Sequence, residues 1–189
     1  PGLSSFYNDT AAENGRNIIT SGNTLNTSFW VLGLGPQALT GIYPEGFTMG
    51  IDVSHKGKVT LEDADGSQGG RMEIYRSHYR WACGFALRNW QTCARVQVDL
   101  SDCVKTAATG PSLFDELSKA LARTKRGKSI KKVIVCNEGT LEMMRLQAKH
   151  AVSSSTLSRG ELHGRDVDMI DGMPVLLTDG LLYNEDPVT

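Results

Sequence analysis

The sequence predicts an α+β protein, and three observations carry that reading. From Gly41 to Leu100 the chain reads as two long strands joined at a polar, glycine-rich tip. Two capped, amphipathic helices follow, over 113–125 and 138–151. The order of elements, mostly β and then helix, strand, helix and strand, suits an α+β arrangement better than a doubly wound sheet.

Taken in order, residues 1–28 (PGLSSFYNDTAAENGRNIITSGNTLNTS) are rich in Ser, Thr, Asn and Gly with weak periodicity, and read as a surface arm or loop. Phe29–Leu34 (FWVLGL) is a short apolar strand able to bury both faces, ended by Gly35-Pro36. It opens a β-rich part, residues 29–111, whose extended hairpin occupies about 41–100. On the return leg Tyr79, Trp81, Cys83, Phe85 and Leu87 alternate with Arg76, His78, Arg80 and Arg88 on the other parity, which predicts one buried face. Beyond it the parity switches: Ala94, Val96, Val98 and Leu100 are apolar and Arg95, Gln97 and Asp99 polar, so a bend or bulge is expected near Asn89–Gln91. Extended, Arg71 to Leu87 spans roughly 55 Å at about 3.3 Å per residue. A compact domain of 189 residues has a diameter of roughly 40 Å, so an unbent leg projects and needs a partner surface. The tip, Asp63-Ala64-Asp65-Gly66-Ser67-Gln68-Gly69-Gly70, has the charge and backbone freedom of a solvated turn.

Residues 112–189 form an α/β part. Ser112 is placed to cap a helix in which Leu113, Leu117, Ala120 and Leu121 share a face, with Asp115 and Glu116 in the first turn and Arg123 and Lys125 at the end. Lys132–Cys136 is a buried strand. Asn137 is placed to cap the second helix, in which Leu141, Met144 and Ala148 face inward and Glu142 can pair with Arg145. VSSSTLSRG reads as a flexible loop. Two extended pieces, about 167–170 and 173–178, flank the turn Asp171-Gly172.

Composition is that of an ordinary globular chain, 40% hydrophobic and 22% charged, without an apolar run long enough to cross a bilayer. Twenty basic against 21 acidic residues argue against a nucleic-acid-binding module that relies on phosphate neutralisation. Cys83, Cys93, Cys103 and Cys136 form no C-x-x-C pair and read as buried free thiols in a reducing compartment. No catalytic, cofactor or metal site is expected. A hydrolase using Cys136, near a helix N-terminus, is the alternative enzyme reading; ending an apolar strand favours a small hydrophobe there. His55, His78, His150 and His163 lie on different elements with no metal-ligand spacing. Glu62-Asp63-Ala64-Asp65-Gly66 lacks the terminal Glu of a calcium loop. Arg76, His78 and Arg80 lie on the face of their strand opposite Tyr79 and Trp81, which suits a charged exterior meeting a neighbouring copy's acidic patch better than base stacking. Asp63, Asp65, Arg76, Arg80 and Trp81 are therefore the candidate subunit-contact residues.

These residues also carry a resemblance. FWVLGLGPQALTGIYPEG, VTLEDADG, YRSHYRWACGFALRNWQTCARVQVDLSD and the closing GMPVLLTDGLLYNEDPV resemble the major capsid proteins of short-tailed bacteriophages related to the Salmonella phage epsilon fifteen, over about residues 29–188. Residues 113–178 are similar, more broadly, to the shell-protein fold of tailed phages named after phage Hong Kong 97. The resemblance implies axial and peripheral domains and a long projecting β-hairpin, in a structural subunit tiled into hexamers and pentamers of an icosahedral head around double-stranded DNA. It further implies a virion location, with host cytoplasm during assembly, and scaffolding, portal or decoration proteins as partners. Contact with packaged DNA would be non-specific and no membrane would be involved. Relatives carry a longer N-terminal portion, so this chain is expected to start inside it. No motif carries over a cross-linking lysine and asparagine.

Overall fold

The computed structural model describes residues 2–21, 26–62, 66, 69–100, 103, 112–125, 127, 129–150, 157–162 and 164–188. In chain order they form helix α1 (Leu3–Phe6), strands β1 (Ile18–Ser21), β2 (Asn26–Leu34), β3 (Leu39–Ile42), β4 (Ile51–Glu62), β5 (Arg71–Trp81), β6 (Gly84–Leu87) and β7 (Ala94–Asp99), helix α2 (Leu113–Arg123), strand β8 (Lys131–Cys136), helix α3 (Glu138–His150) and strands β9 (Leu157–Leu162), β10 (Arg165–Ile170) and β11 (Met173–Leu177). The chain divides into two compact units, Pro1–Thr40 with Leu87–Thr189, and Gly41–Ala86.

The larger unit is organised on a mixed sheet in the order β1-β7-β2-β8-β11-β10-β9. β1 runs parallel to β7 and β11 parallel to β8, while β2 is antiparallel to both its neighbours, with Trp30 opposite Arg95 on one side and Val135 on the other. Alternation along the strands sorts side chains into two cores. Phe29, Val31, Val96, Val98, Ile134 and Cys136 join Leu113, Leu117 and Ala120 of α2 and Leu141 and Met144 of α3. Trp30 and Cys93 join Tyr7, Ile18 and Leu39, with Leu3, Leu181 and Val188 packed against them. Each such Val, Leu, Ile or Phe contributes roughly 1.5–3 kcal/mol by leaving water, so the helix-covered face supplies most of the apolar stabilisation.

Both helices start where the sequence places them. The Ser112 hydroxyl accepts from the Asp115 amide, and the first amide of α2 donates to Gln147 Oε1 of α3 at 2.9 Å. The Asn137 side-chain oxygen accepts from the Thr140 amide at 2.8 Å, while its Nδ2 donates to Thr27 of β2 at 2.7 Å, tying the α3 start to the sheet. Asp171 and Gly172 both have positive φ, 50° and 74°, and join β10 to β11 as a two-residue turn with Ile170 opposite Met173.

Several sequence-based expectations are corrected. Residues 1–28 are not merely a surface arm or loop: Tyr7 is fully buried, β1 pairs with β7 and β2 starts at Asn26, while residues 1 and 22–25 lie outside the described residues. Polar composition misleads there because Asn14 donates to the Phe6 carbonyl and Asn17 to the Cys93 carbonyl, so amides anchor the segment. Leu157–Gly160 belong to β9, paired with β10, and are not loop; residues 151–156 lie outside the described residues. Arg145 bonds Asp168 of β10 through both Nε and Nη2, in place of the expected Glu142. The apolar run of 94–100 is a strand of the larger sheet, reached through the short 3₁₀ turn Trp90–Thr92, where the bend was placed by the change of parity.

Residues Arg95, Gln97 and Asp99 form the polar parity of β7, yet all three are buried. The terminal segments cover that face and supply the partners. Arg95 is 4% exposed; its guanidinium donates to Ser28 Oγ at 2.9 Å, to the Tyr7 carbonyl at 2.8 Å and to Glu185 Oε2 at 2.8 Å, and it stands 5.6 Å over the Trp30 ring. Gln97 donates to the Asp186 carbonyl and accepts from the Val188 amide. One strand face thus holds both ends of the chain through hydrogen bonds.

Candidate assembly surface

The smaller unit is where the expected contact residues fall. Its β4 and β5 form a separate two-stranded antiparallel sheet, from Ile51 opposite Trp81 to Glu62 opposite Arg71. Asp63 and Asp65, placed at the tip by the sequence, lie outside the described residues. Arg76, Arg80 and Trp81 are all on β5 and all exposed, the two arginines on one face and Trp81 on the other.

The expected buried face of this leg is not buried in the single chain. Tyr79 is 69% exposed, Trp81 73% and Phe85 74%. A ribbon of two strands has no second layer to bury an apolar face, so the period-two pattern leaves large apolar side chains in solvent. The extended leg also breaks: β5 ends at Trp81 and β6 begins at Gly84, leaving Ala82 and Cys83 between them.

Register shows how the apolar residues are arranged. His55 faces Ser77 but Gly57 faces Arg76, so Lys56 is an extra residue, a β-bulge, and Gly57 takes the left-handed φ of 74° that it requires. Below the bulge, the cross-strand pairs Ile51–Trp81 and Val53–Tyr79 share one face, and Asp52–Arg80 and Ser54–His78 the other. Above it, Val59–Ile74 and Leu61–Met72 share the face that carries the arginines below, while Lys58–Glu73 and Glu62–Arg71 ion pairs occupy the opposite one. The ribbon therefore has two apolar patches on opposite faces, one on each side of the bulge. Ile51, Val53, Leu61 and Met72 are each exposed.

Sequence reasoning grouped the aromatics with β5 alone and missed the second patch. Its signal is present, because the apolar parity on β5 changes between Ile74 and Tyr75, within two residues of Arg76 and Ser77, which face the bulge. Next to the lower patch, Ile42, Tyr43, Pro44, Ala82, Cys83 and Gly84 line a shallow cavity of about 410 Å³. The Trp81 indole N–H donates to the Met49 carbonyl at 3.2 Å, holding the ring across the end of the ribbon.

Cys136 is fully buried, and burial pushes its thiol up to about 12, with Arg145 opposing and Asp168 reinforcing that shift. A thiol so protonated and enclosed is a poor nucleophile, which argues against Cys136 as the nucleophile of a hydrolase. Cys93 and Cys103 are likewise buried, but Cys83 is exposed, contrary to the expectation for all four. It sits between β5 and β6, where no second layer covers the chain. Among the described residues no group of three or more His, Cys, Asp or Glu gathers as metal ligands.

A family model described as major capsid protein GP7 matches residues 1–189. No curated protein matches the chain. Among solved structures, a chain in a near-atomic-resolution cryo-electron microscopy structure of bacteriophage epsilon15 matches with a TM-score of 0.58 and 24% identity, over 92% of this chain and 53% of that one. The α+β fold is thus shared with a phage particle protein, and the present chain spans about half the length of that relative.

Proposed function

This chain belongs to the major capsid protein GP7 family, and from that membership we propose that it is a structural subunit of an icosahedral phage head, self-assembling around double-stranded DNA and without catalytic activity. The family match over residues 1–189 carries the proposal. The ribbon of the smaller unit supplies a physical means. It exposes apolar side chains on both faces, which a stable monomer would not retain without covering them.

Copies of the same chain, in hexamers and pentamers, are the proposed partners. Trp81 and Tyr79 are the anchors, being large, rigid and aromatic, as residues that dominate interface energetics tend to be. Arg76 and Arg80, with Asp63 and Asp65, supply charge matching. Scaffolding, portal or decoration proteins and non-specific contact with packaged DNA complete the reading, as does a virion location after assembly in the host cytoplasm. A net charge of −1 favours shell contacts between proteins over DNA as the source of cohesion.

The test is the mass and shape of the complete polypeptide that carries this chain, by light scattering and electron microscopy. Capsomers or closed shells are expected. A species that stays monomeric at high concentration overturns the proposal. A DNA-binding module instead would give affinity that falls steeply with salt.

A further inference from the structure

On the ribbon's arginine face Arg76 stands opposite Gly57, which has no side chain, and Arg80 stands opposite Asp52; among the described residues neither arginine closes an ion pair, although Lys58 and Arg71 on the same two strands each find a carboxylate. In the larger unit the reverse is found. Glu161 of β9 and Asp166 of β10 are directly opposed across an antiparallel pair, both exposed, and among the described residues neither has an ion-pair partner. Like charges in that position repel, and the next pair along the same face, Arg159 opposite Asp168, shows the compensated arrangement, with Asp168 also bonded to Arg145.

We infer that the Arg76–Arg80 face of the ribbon docks on the Glu161–Asp166 pair of a second copy of this chain. The inference rests on the shell-subunit reading and names the contact within it. One polypeptide carries both halves, two cations on one strand face and two adjacent carboxylates, so the match is heterologous and repeats from copy to copy, as a ring of subunits requires. A guanidinium bridging two carboxylates removes their mutual repulsion as well as adding its own attraction. Arg76 and Arg80 are four residues apart, about 13 Å at roughly 3.3 Å per residue, so one of them engages the acidic pair and the other lies beside it. The alternative, that Glu161 and Asp166 only protect the free edge of β9 from unwanted pairing, predicts no dependence on the arginines.

The experiment is a charge swap in the complete assembling polypeptide, read as the assembled fraction. Arg76→Glu with Arg80→Glu, and separately Glu161→Lys with Asp166→Lys, each reduce assembly several-fold, and all four changes together restore it. Thermal melting of each variant checks folding, and Arg76→Glu alone, opposite Gly57, repeats the test without setting a like charge against Asp52. A second readout uses Arg80→Cys and Asp166→Cys in differently tagged copies, with Cys83→Ser, joined by a short bifunctional thiol reagent into mixed dimers within the assembly. Assembly that is indifferent to either reversal, or a fourfold variant no better than the halves together with no cross-link, overturns the contact while leaving the shell-subunit reading in place. A wild-type polypeptide that never assembles overturns both.

Discussion

Arg95 shows what one side chain decides. It sits on a strand, on the parity that sequence alone reads as solvated, and it collects a hydroxyl, a main-chain carbonyl and a carboxylate while stacking on Trp30. Removing one partner of a buried ion pair strands the other, so Arg95→Ala is expected to destabilise the fold by about 3–5 kcal/mol in denaturant titrations. Glu185→Gln, which keeps an acceptor, should cost less. The cysteines offer a second test. With iodoacetamide at neutral pH, the unassembled protein should label at Cys83 and leave Cys93, Cys103 and Cys136 unmodified until it unfolds. Cys136, raised to about 12, keeps its proton where an unfolded thiol has lost it. Its contribution to stability is complete below the unfolded value near 9 and falls as pH rises from there to 12, because the unfolded state then binds fewer protons than the native one. A melting temperature that holds level from pH 8 to 11 would contradict that assignment.

Among the elements, the helices and the ribbon differ in how fully local sequence specifies them. Caps and spacing place both helices: Ser112 and Asn137 do what their positions indicate, and Leu113, Leu117, Leu141 and Met144 are buried as their periodicity requires. Ser112→Ala should cost about 1 kcal/mol, and Asn137→Ala more, since it also loses the bond to Thr27 in the interior. The ribbon depends on Lys56 and Gly57. Deleting Lys56 removes the bulge and with it the local bend and added twist of β4, while Val59 and Leu61 stay opposite Ile74 and Met72, so the two apolar patches are re-aimed relative to each other. That variant should keep the melting behaviour of the larger unit and lose assembly. Gly57→Val, forced to a φ of 74°, should show a milder form of the same loss, at roughly 1–2 kcal/mol of local strain.

On the scale of the whole molecule, the division of labour is between a unit that carries its own core and one that does not. The larger unit buries two clusters around its sheet, whereas the ribbon is a two-stranded sheet with its large side chains in solvent. Replacing residues 43–84 with a short flexible linker should therefore leave a folded protein that does not assemble, as circular dichroism and light scattering would report. Sequence alone determined the α+β class, both helices with their caps, the turn at Asp171-Gly172 and the hairpin legs, because caps, turns and periodicity are set by neighbours a few residues apart. It also held the residues that resemble phage shell proteins, and the family match agrees with that resemblance. Only the tertiary structure decided that the polar face of β7 is covered by the two chain ends, that Arg145 goes to Asp168, and that the apolar alternation on the return leg faces outward. Each of those outcomes turns on which distant segment lies against a given face, and a pattern of alternating residues defines two faces without saying what covers either.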